Sequence, residues 1–240
     1  MGQMETVAAG QSDVSLPSRV HILLEPLVAP GDTLALRNRL EQASDAWHPG
    51  AETAGRYASQ VKTNEQLDPD TTVFAALASQ VIQALQANPL FKAVAMPMAI
   101  HSLLFSRCGV GQGYGRHVDN AFMPGGRADL SFTLFLSDPT TYGGGELVLE
   151  LPQGDHAVRL PAGHAVLYPS SYLHRVEPVT GGVRYVAVGW VQSAVRSVEQ
   201  RELLFELDTA CRTLAAKHGR SDELDLLYRT QTNLLRMWGG

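Results

Sequence analysis

Apolar residues along this chain change their period twice. Val73, Leu77, Val81 and Leu85 recur at helical spacing, with Asp70 and Thr71 able to cap the start and Asn88-Pro89 to end it, which predicts a helix from Thr72 to about Gln86. An earlier helix is expected after Pro30-Gly31-Asp32, with Asp32 as its N-cap and Leu34, Leu36, Leu40 and Ala43 as its apolar stripe. Before it, Val20 to Leu24 reads as a first strand. After Pro89 the pattern turns to alternation. Candidate strands run over Ala93 to Leu104, Asp129 to Leu136, Gly145 to Leu151, His156 to Leu160, Ala165 to Tyr168, Leu173 to Glu177 and Val183 to Val191. Gly143-Gly144-Gly145, Pro161-Ala162-Gly163, Pro169-Ser170-Ser171 and Gly181-Gly182 mark turns between them. Beyond Ser193 the helical period returns in two stripes. One is Leu203, Leu204, Leu207, Cys211 and Leu214, closed by Gly219; the other is Leu224, Leu227, Leu234 and Leu235.

Many short strands separated by Gly and Pro turns, without helices between them, predict a mainly β protein with flanking helices. The β part is expected to be a sandwich or jelly roll. Residues 1–19 are expected to form a disordered tail, and 20–193 one domain with helical support over 20–92 and a β core over 93–193. Residues 194–240 form a helical extension packed on that core.

Composition narrows the function by exclusion. A hydrophobic content of 45% suits one sizeable core in 240 residues, and a net charge of -5 gives no basis for a nucleic-acid partner. No apolar run is long enough to span a bilayer, so no membrane partner is expected. The two cysteines, Cys108 and Cys211, lie outside any metal-type spacing and suit a reducing, cytoplasmic location. Oligomeric state has no signature in the pattern.

The chemistry concentrates in Tyr114-Gly115-Arg116-His117-Val118-Asp119-Asn120. In an extended chain, side chains two residues apart share a face, so His117 and Asp119 can reach one metal ion together. His174, at the start of another strand, is the best third ligand. Two imidazoles and one carboxylate on one face of an ion form the facial triad of non-haem Fe(II) oxygenases. Such a site needs a cation for the free carboxylate of 2-oxoglutarate, and Arg184, ten residues after His174 on the next strand, is placed to supply it. Strand parity then puts Val186, Val188 and Trp190 on the face of Arg184, with Trp190 as a wall of the substrate pocket. Ser131 and Thr133, on the face of their strand opposite Leu130, Phe132, Leu134 and Leu136, are candidate hydrogen-bond donors to the cosubstrate. His21, His48, His101, His156, His164 and His218 lack a ligand-spaced partner and read as surface or satisfied core positions, and Glu177 points away from His174. Gly109, Gly111, Gly113 and Gly115 precede a strand instead of a helix and lack a P-loop lysine, so close backbone approach is expected there.

The segments His117-Val118-Asp119-Asn120, Thr133-Leu134-Phe135-Leu136-Ser137-Asp138-Pro139, Gly144-Gly145-Glu146-Leu147-Val148, Leu167-Tyr168-Pro169-Ser170-Ser171 and Leu173-His174-Arg175-Val176 closely resemble the bacterial PKHD-type Fe(II)- and 2-oxoglutarate-dependent hydroxylases, relatives of prolyl 4-hydroxylases. The likeness extends to Gln60-Val61-Lys62-Thr63-Asn64, Leu204-Phe205-Glu206-Leu207-Asp208 and Asn233-Leu234-Leu235-Arg236. It implies a double-stranded β-helix of cupin-like type, with His117, Asp119 and His174 as iron ligands and Arg184 as the 2-oxoglutarate anchor. It also implies Fe(II), 2-oxoglutarate and O2 as reactants, with ascorbate a candidate reductant, and release of succinate and CO2 as a C–H bond of a small-molecule or peptidyl substrate is hydroxylated. Three positions depart from the family pattern. Cys108 stands where a tyrosine usually helps line the cosubstrate pocket, the segment from Ala121 to Arg127 is short, and Gly189 replaces a bulkier residue whose outward parity makes it a packing matter. Two other readings compete: a metal-binding or sensing module without turnover, for which Arg184 has no use, and an oxidative demethylase on the same core.

Overall fold

The computed structural model describes residues 21–53 and 58–240. The expected N-terminal tail lies outside the described residues, as does Val20 of the first strand. In chain order the elements are β1 (Ile22–Leu24), α1 (Pro30–Gln42), β2 (Trp47–Pro49), β3 (Glu65–Leu67), α2 (Thr72–Ala87), α3 (Pro89–Ala95), β4 (Pro97–Cys108) and β5 (Tyr114–His117). There follow β6 (Phe122–Met123), β7 (Gly126–Arg127), β8 (Leu130–Phe135), β9 (Gly143–Gly144), β10 (Leu147–Leu151), β11 (Gly154–Val158) and β12 (Ala165–Pro169). The chain closes with β13 (His174–Val176), β14 (Val179–Gly181), β15 (Arg184–Ser193), α4 (Val198–His218) and α5 (Asp222–Trp238).

Seven strands form the major sheet, in the order β1-β12-β8-β15-β4-β3-β2, and four form the minor sheet, β11-β10-β13-β5. The ladders between these strands are antiparallel. Between the two sheets lies an apolar layer of Phe135, Val166, Tyr168 and Val186 from the major sheet against Leu147, Leu149 and Val158 from the minor one. This is the jelly-roll arrangement that the alternating pattern predicts. On its outer face the major sheet packs Phe105, Phe132, Leu134 and Ala187 against Leu36 and Leu40 of α1, Leu77, Val81 and Leu85 of α2, and Phe91 of α3. The two faces of β8 therefore divide as the parity requires. Three strands from the N-terminal region expected as helical support, β1, β2 and β3, also join the major sheet.

Some local expectations are corrected. Residues 93–95 are not strand: Asn88 starts a second helix, its side-chain oxygen accepting from the Phe91 amide at 2.9 Å, and β4 begins only at Pro97 and runs on to Cys108. A helix of seven residues is too short to print a period on the sequence. Asp32 is not an N-cap either, because α1 begins two residues earlier at Pro30, where the missing N–H costs no hydrogen bond. Leu34 and Leu203, expected on buried stripes, are 59% and 54% exposed, the core contacts being made by Leu36, Leu40, Leu204 and Cys211 instead.

One irregularity shapes the interior. Opposite Val188 and Trp190 of β15 the register on β4 passes from Leu104 to His101, so β4 carries an extra residue, with Ser102 at φ 53°. That bulge turns Ser102 and Leu103 toward the cavity between the sheets. Gly189 sits beside it, where a Cβ would lie 2.7 Å from Cζ of Phe132. Glycine here and the Phe132 ring are alternative fillings of one space. Beyond the sheets, α4 packs against α3 and α5, and Arg201 of α4 donates to the carbonyls of Val195 and Arg196 at 2.7 and 2.8 Å.

Candidate active site

His117 ends β5 and His174 begins β13, and the two are direct partners across the antiparallel pair. Asp119 follows two residues past the end of β5. One ligand atom from each of the three lies within 4.8 Å of the other two, and among the described residues this is the one group of three or more such side chains. Each imidazole Nε2 is 3.9 Å from the same carboxylate oxygen, Asp119 Oδ1.

Neighbouring groups fix which atoms face the centre. His117 Nδ1 contacts the Gly115 carbonyl at 2.8 Å and His174 Nδ1 that of Tyr172 at 3.0 Å. A carbonyl only accepts, so each Nδ1 carries the proton and each Nε2 presents its lone pair inward. Asp119 is oriented in the same way. Ser131 donates to its Oδ2 at 2.6 Å, leaving Oδ1 facing inward beside the two Nε2 lone pairs, and Ser131 is itself 2.7 Å from the buried Ser170 hydroxyl. Ser131 lines the cavity as well, and with its one proton given to Asp119 it has only lone pairs left to offer there. Tyr114 stacks on His117 with centroids 3.6 Å apart, and Tyr168 meets His174 edge-on at 5.3 Å.

Burial, and next the neighbouring His174, push the His117 imidazole down from 6.5 to about 4. It is therefore neutral near pH 7, the form that binds a metal. The unfolded chain takes up this proton first as the solution is acidified, so it binds more protons than the native chain between those values. Native stability of the metal-free protein is accordingly expected to fall as pH drops through that window. Urea midpoints measured across it should slope upward with pH, and the slope should flatten in a His117→Gln variant.

Arg184 opens β15 opposite Cys108, and both line a cavity of about 530 Å³ together with the three ligands. Arg184 is 2% exposed, and its guanidinium stands over the Phe135 ring at 5.3 Å with Nε and Nη2 buried without a hydrogen-bond partner. A buried cation with open donors is built to receive an anion, and a bidentate carboxylate fits its fork. Thr133 lines the same cavity with its hydroxyl hydrogen-bonded to Tyr168, and Trp190 lines it with an unpartnered indole N–H. The donor set and the orphaned guanidinium therefore fit a ferrous ion and a dicarboxylate. The glycine run leads into β5 as expected, and a Cβ on Gly113 would lie 2.7 Å from the Val176 carbonyl. Residues 121–127 fold into the β6–β7 hairpin, and Met123 and Pro124 of it wall the cavity. The other cavity residues, Lys62, Asn64 and Gln66 among them, had no signal in ligand spacing.

A family model described as the 2OG-Fe(II) oxygenase superfamily matches residues 103–192, and one described as the PKHD-type hydroxylase C-terminal domain matches 199–239. A PKHD-type hydroxylase of Prochlorococcus marinus is 45% identical over 92% of this chain and 100% of its own length. Another from Acaryochloris marina is 56% identical over 79% of this chain and 86% of its own. Among solved structures, a Pseudomonas putida prolyl-4-hydroxylase superposes with a TM-score of 0.52 at 22% identity, covering 72% of this chain and 92% of that one. The last is a likeness of fold. The sequence matches go further: the chain belongs to the PKHD-type hydroxylases, dioxygenases of the 2OG-Fe(II) superfamily that use Fe(II), 2-oxoglutarate and O2.

Proposed function

We propose that this dioxygenase hydroxylates an unactivated C–H bond of a small-molecule or peptidyl substrate, with release of succinate and CO2. The observation that carries this is the meeting of two imidazoles, one carboxylate and one unpaired buried guanidinium in a single cavity. His117, Asp119 and His174 would hold the metal, and Arg184 would grip the far carboxylate of 2-oxoglutarate. Bound together, iron and cosubstrate supply an O2-derived oxidant strong enough for such a bond. The chain's own part is to aim and to shield. Carbonyl-fixed tautomers hold both Nε2 atoms inward, Ser131 and Ser170 hold Asp119 by one oxygen, and Tyr114 and Tyr168 cover the imidazoles. Burial raises both phenols above their ordinary range, so they stay protonated and add no charge. Trp190, together with Met123 and Pro124 of the β6–β7 hairpin, walls the space that a substrate would share with the metal site.

A metal sensor without turnover has no use for the buried Arg184, and membership of a hydroxylase family speaks against it. The deciding experiment is anaerobic reconstitution with Fe(II) and 2-oxoglutarate, followed by admission of O2 and a screen of candidate compounds for stimulated succinate release. Product mass should rise by one oxygen atom. Loss of a one-carbon unit as formaldehyde would instead identify a demethylase.

A further inference from the structure

One cationic side chain in the cavity is not used by the metal or the cosubstrate. Lys62 is 9% exposed and lines the cavity beside His117, Asp119 and Cys108. It stands on the segment leading into β3, where Lys62, Asn64 and Gln66 alternate along one face, all three buried and all three lining the cavity. Their placement is set by long-range pairing: Gln66 is opposite Ser106 of β4, Asn64 donates to the Ser106 hydroxyl at 2.5 Å, and the Lys62 backbone bridges to Tyr114. The ammonium lies 5.1 Å from the centroid of the Tyr114 ring. Among the described residues it forms no ion pair with a carboxylate.

The charges of the loaded site leave this one over. Iron brings two positive charges and Arg184 a third; Asp119 and the two carboxylates of 2-oxoglutarate cancel them. Burying a further cation without a counter-ion is costly. Burial indeed pulls the ammonium down to about 8, against the opposing pull of Asp119 and Cys108. Besides Arg184, the described residues of the cavity wall leave two open polar atoms, the Trp190 Nε1 donor and the Asn64 Oδ1 acceptor, and neither carries a charge that could balance Lys62. The one unbalanced charge thus calls for a ligand with a single negative charge that can accept from the ammonium, which a carboxylate supplies and a doubly charged phosphate overshoots.

We infer that Lys62 is the substrate-recognition cation of this enzyme, and that the molecule it oxidises carries a free carboxylate which pairs with the Lys62 ammonium. This rests on the proposed use of Arg184 for the cosubstrate. It is tested on the chain loaded with Zn(II), a redox-inert stand-in for iron, and 2-oxoglutarate. Saturation-transfer NMR would compare N-acetyl amino acids as free acids with the matching primary amides. The expected result is that acids bind and their amides bind about tenfold more weakly or not at all. Lys62→Gln should abolish the preference and Lys62→Arg should keep it, while calorimetric affinity for 2-oxoglutarate stays within about twofold in both. Equal binding of acids and amides, no acid binding above its amide, or an acid preference that survives in Lys62→Gln overturns the inference. So does a loss of 2-oxoglutarate affinity in Lys62→Gln as large as that in an Arg184 variant, which would make Lys62 a second cosubstrate anchor. Failure of the unmodified chain to bind 2-oxoglutarate would be a separate result, striking at the site reading itself.

Discussion

Replacing Arg184 with methionine should weaken 2-oxoglutarate binding by roughly two orders of magnitude, and the same change should leave the unloaded protein as stable as before or more so. The two effects have one cause. In the unloaded chain the guanidinium is buried with Nε and Nη2 unsatisfied, so it burdens the fold until an anion arrives. A buried cation without its partner commonly costs several kcal/mol, and an apolar side chain of similar volume removes that cost. The cosubstrate then loses its charge-assisted pair, about 3 kcal/mol by comparison with truncated buried charge pairs, or more than a hundredfold in affinity. Calorimetric titration with 2-oxoglutarate and a thermal melt of the same two preparations measure both. A melting temperature that drops by many degrees, or an affinity within about threefold of the parent, would show that Arg184 serves the fold and not the cosubstrate. Arg184→Lys keeps the charge but not the fork, and should fall between the two.

Asp119→Ala and His174→Ala are each expected to abolish iron-dependent succinate formation. Three protein ligands are the minimum that this site offers, and each replacement leaves two. The expected scale is set by contrast with Ser131→Ala, which removes only the hydrogen bond behind Asp119. Loss of such an outer partner typically costs ~10–100-fold in metal affinity, and loss of a ligand should cost clearly more. Asp119→Ala also removes the carboxylate that acts on the Lys62 ammonium, and His174→Ala removes a ring 3.9 Å from Asp119 Oδ1, but both losses lie in the cavity and leave the apolar layers of the two sheets untouched. Circular dichroism should therefore stay native while Fe(II) binding and succinate release vanish. Turnover within about tenfold of the parent in either variant would mean that these residues are not the metal ligands.

The period of two in the C-terminal half was enough to read the architecture, because a strand with one buried face must alternate whatever its partners are. Parity carried as far as single residues: Arg184, Val186, Val188 and Trp190 were expected to share a face, and all four line the cavity. The His-x-Asp spacing was readable for the same reason, as it asks only that a short stretch be extended. His174 and Arg184 were readable because each opens a strand, β13 and β15, even though β14 and the passage from one sheet to the other lie in the ten residues between them. The short strands β2, β3 and β14 and the seven-residue helix α3 were not, since none repeats its pattern often enough to stand out.

Local pattern along this chain thus determines the type of most long elements and the inward face of the main strands, and it points to four candidate chemical groups, since these depend on spacing between near neighbours. Pairing between distant segments settles the rest. It sets His117 directly opposite His174, puts Ser131 and Ser170 from adjoining segments behind one oxygen of Asp119, and brings Lys62 against a cavity whose other walls begin some forty residues later. It also leaves the Arg184 guanidinium buried with donors to spare. Burial and partner count are properties of the space around a side chain, and that space exists only once the two sheets have closed on each other.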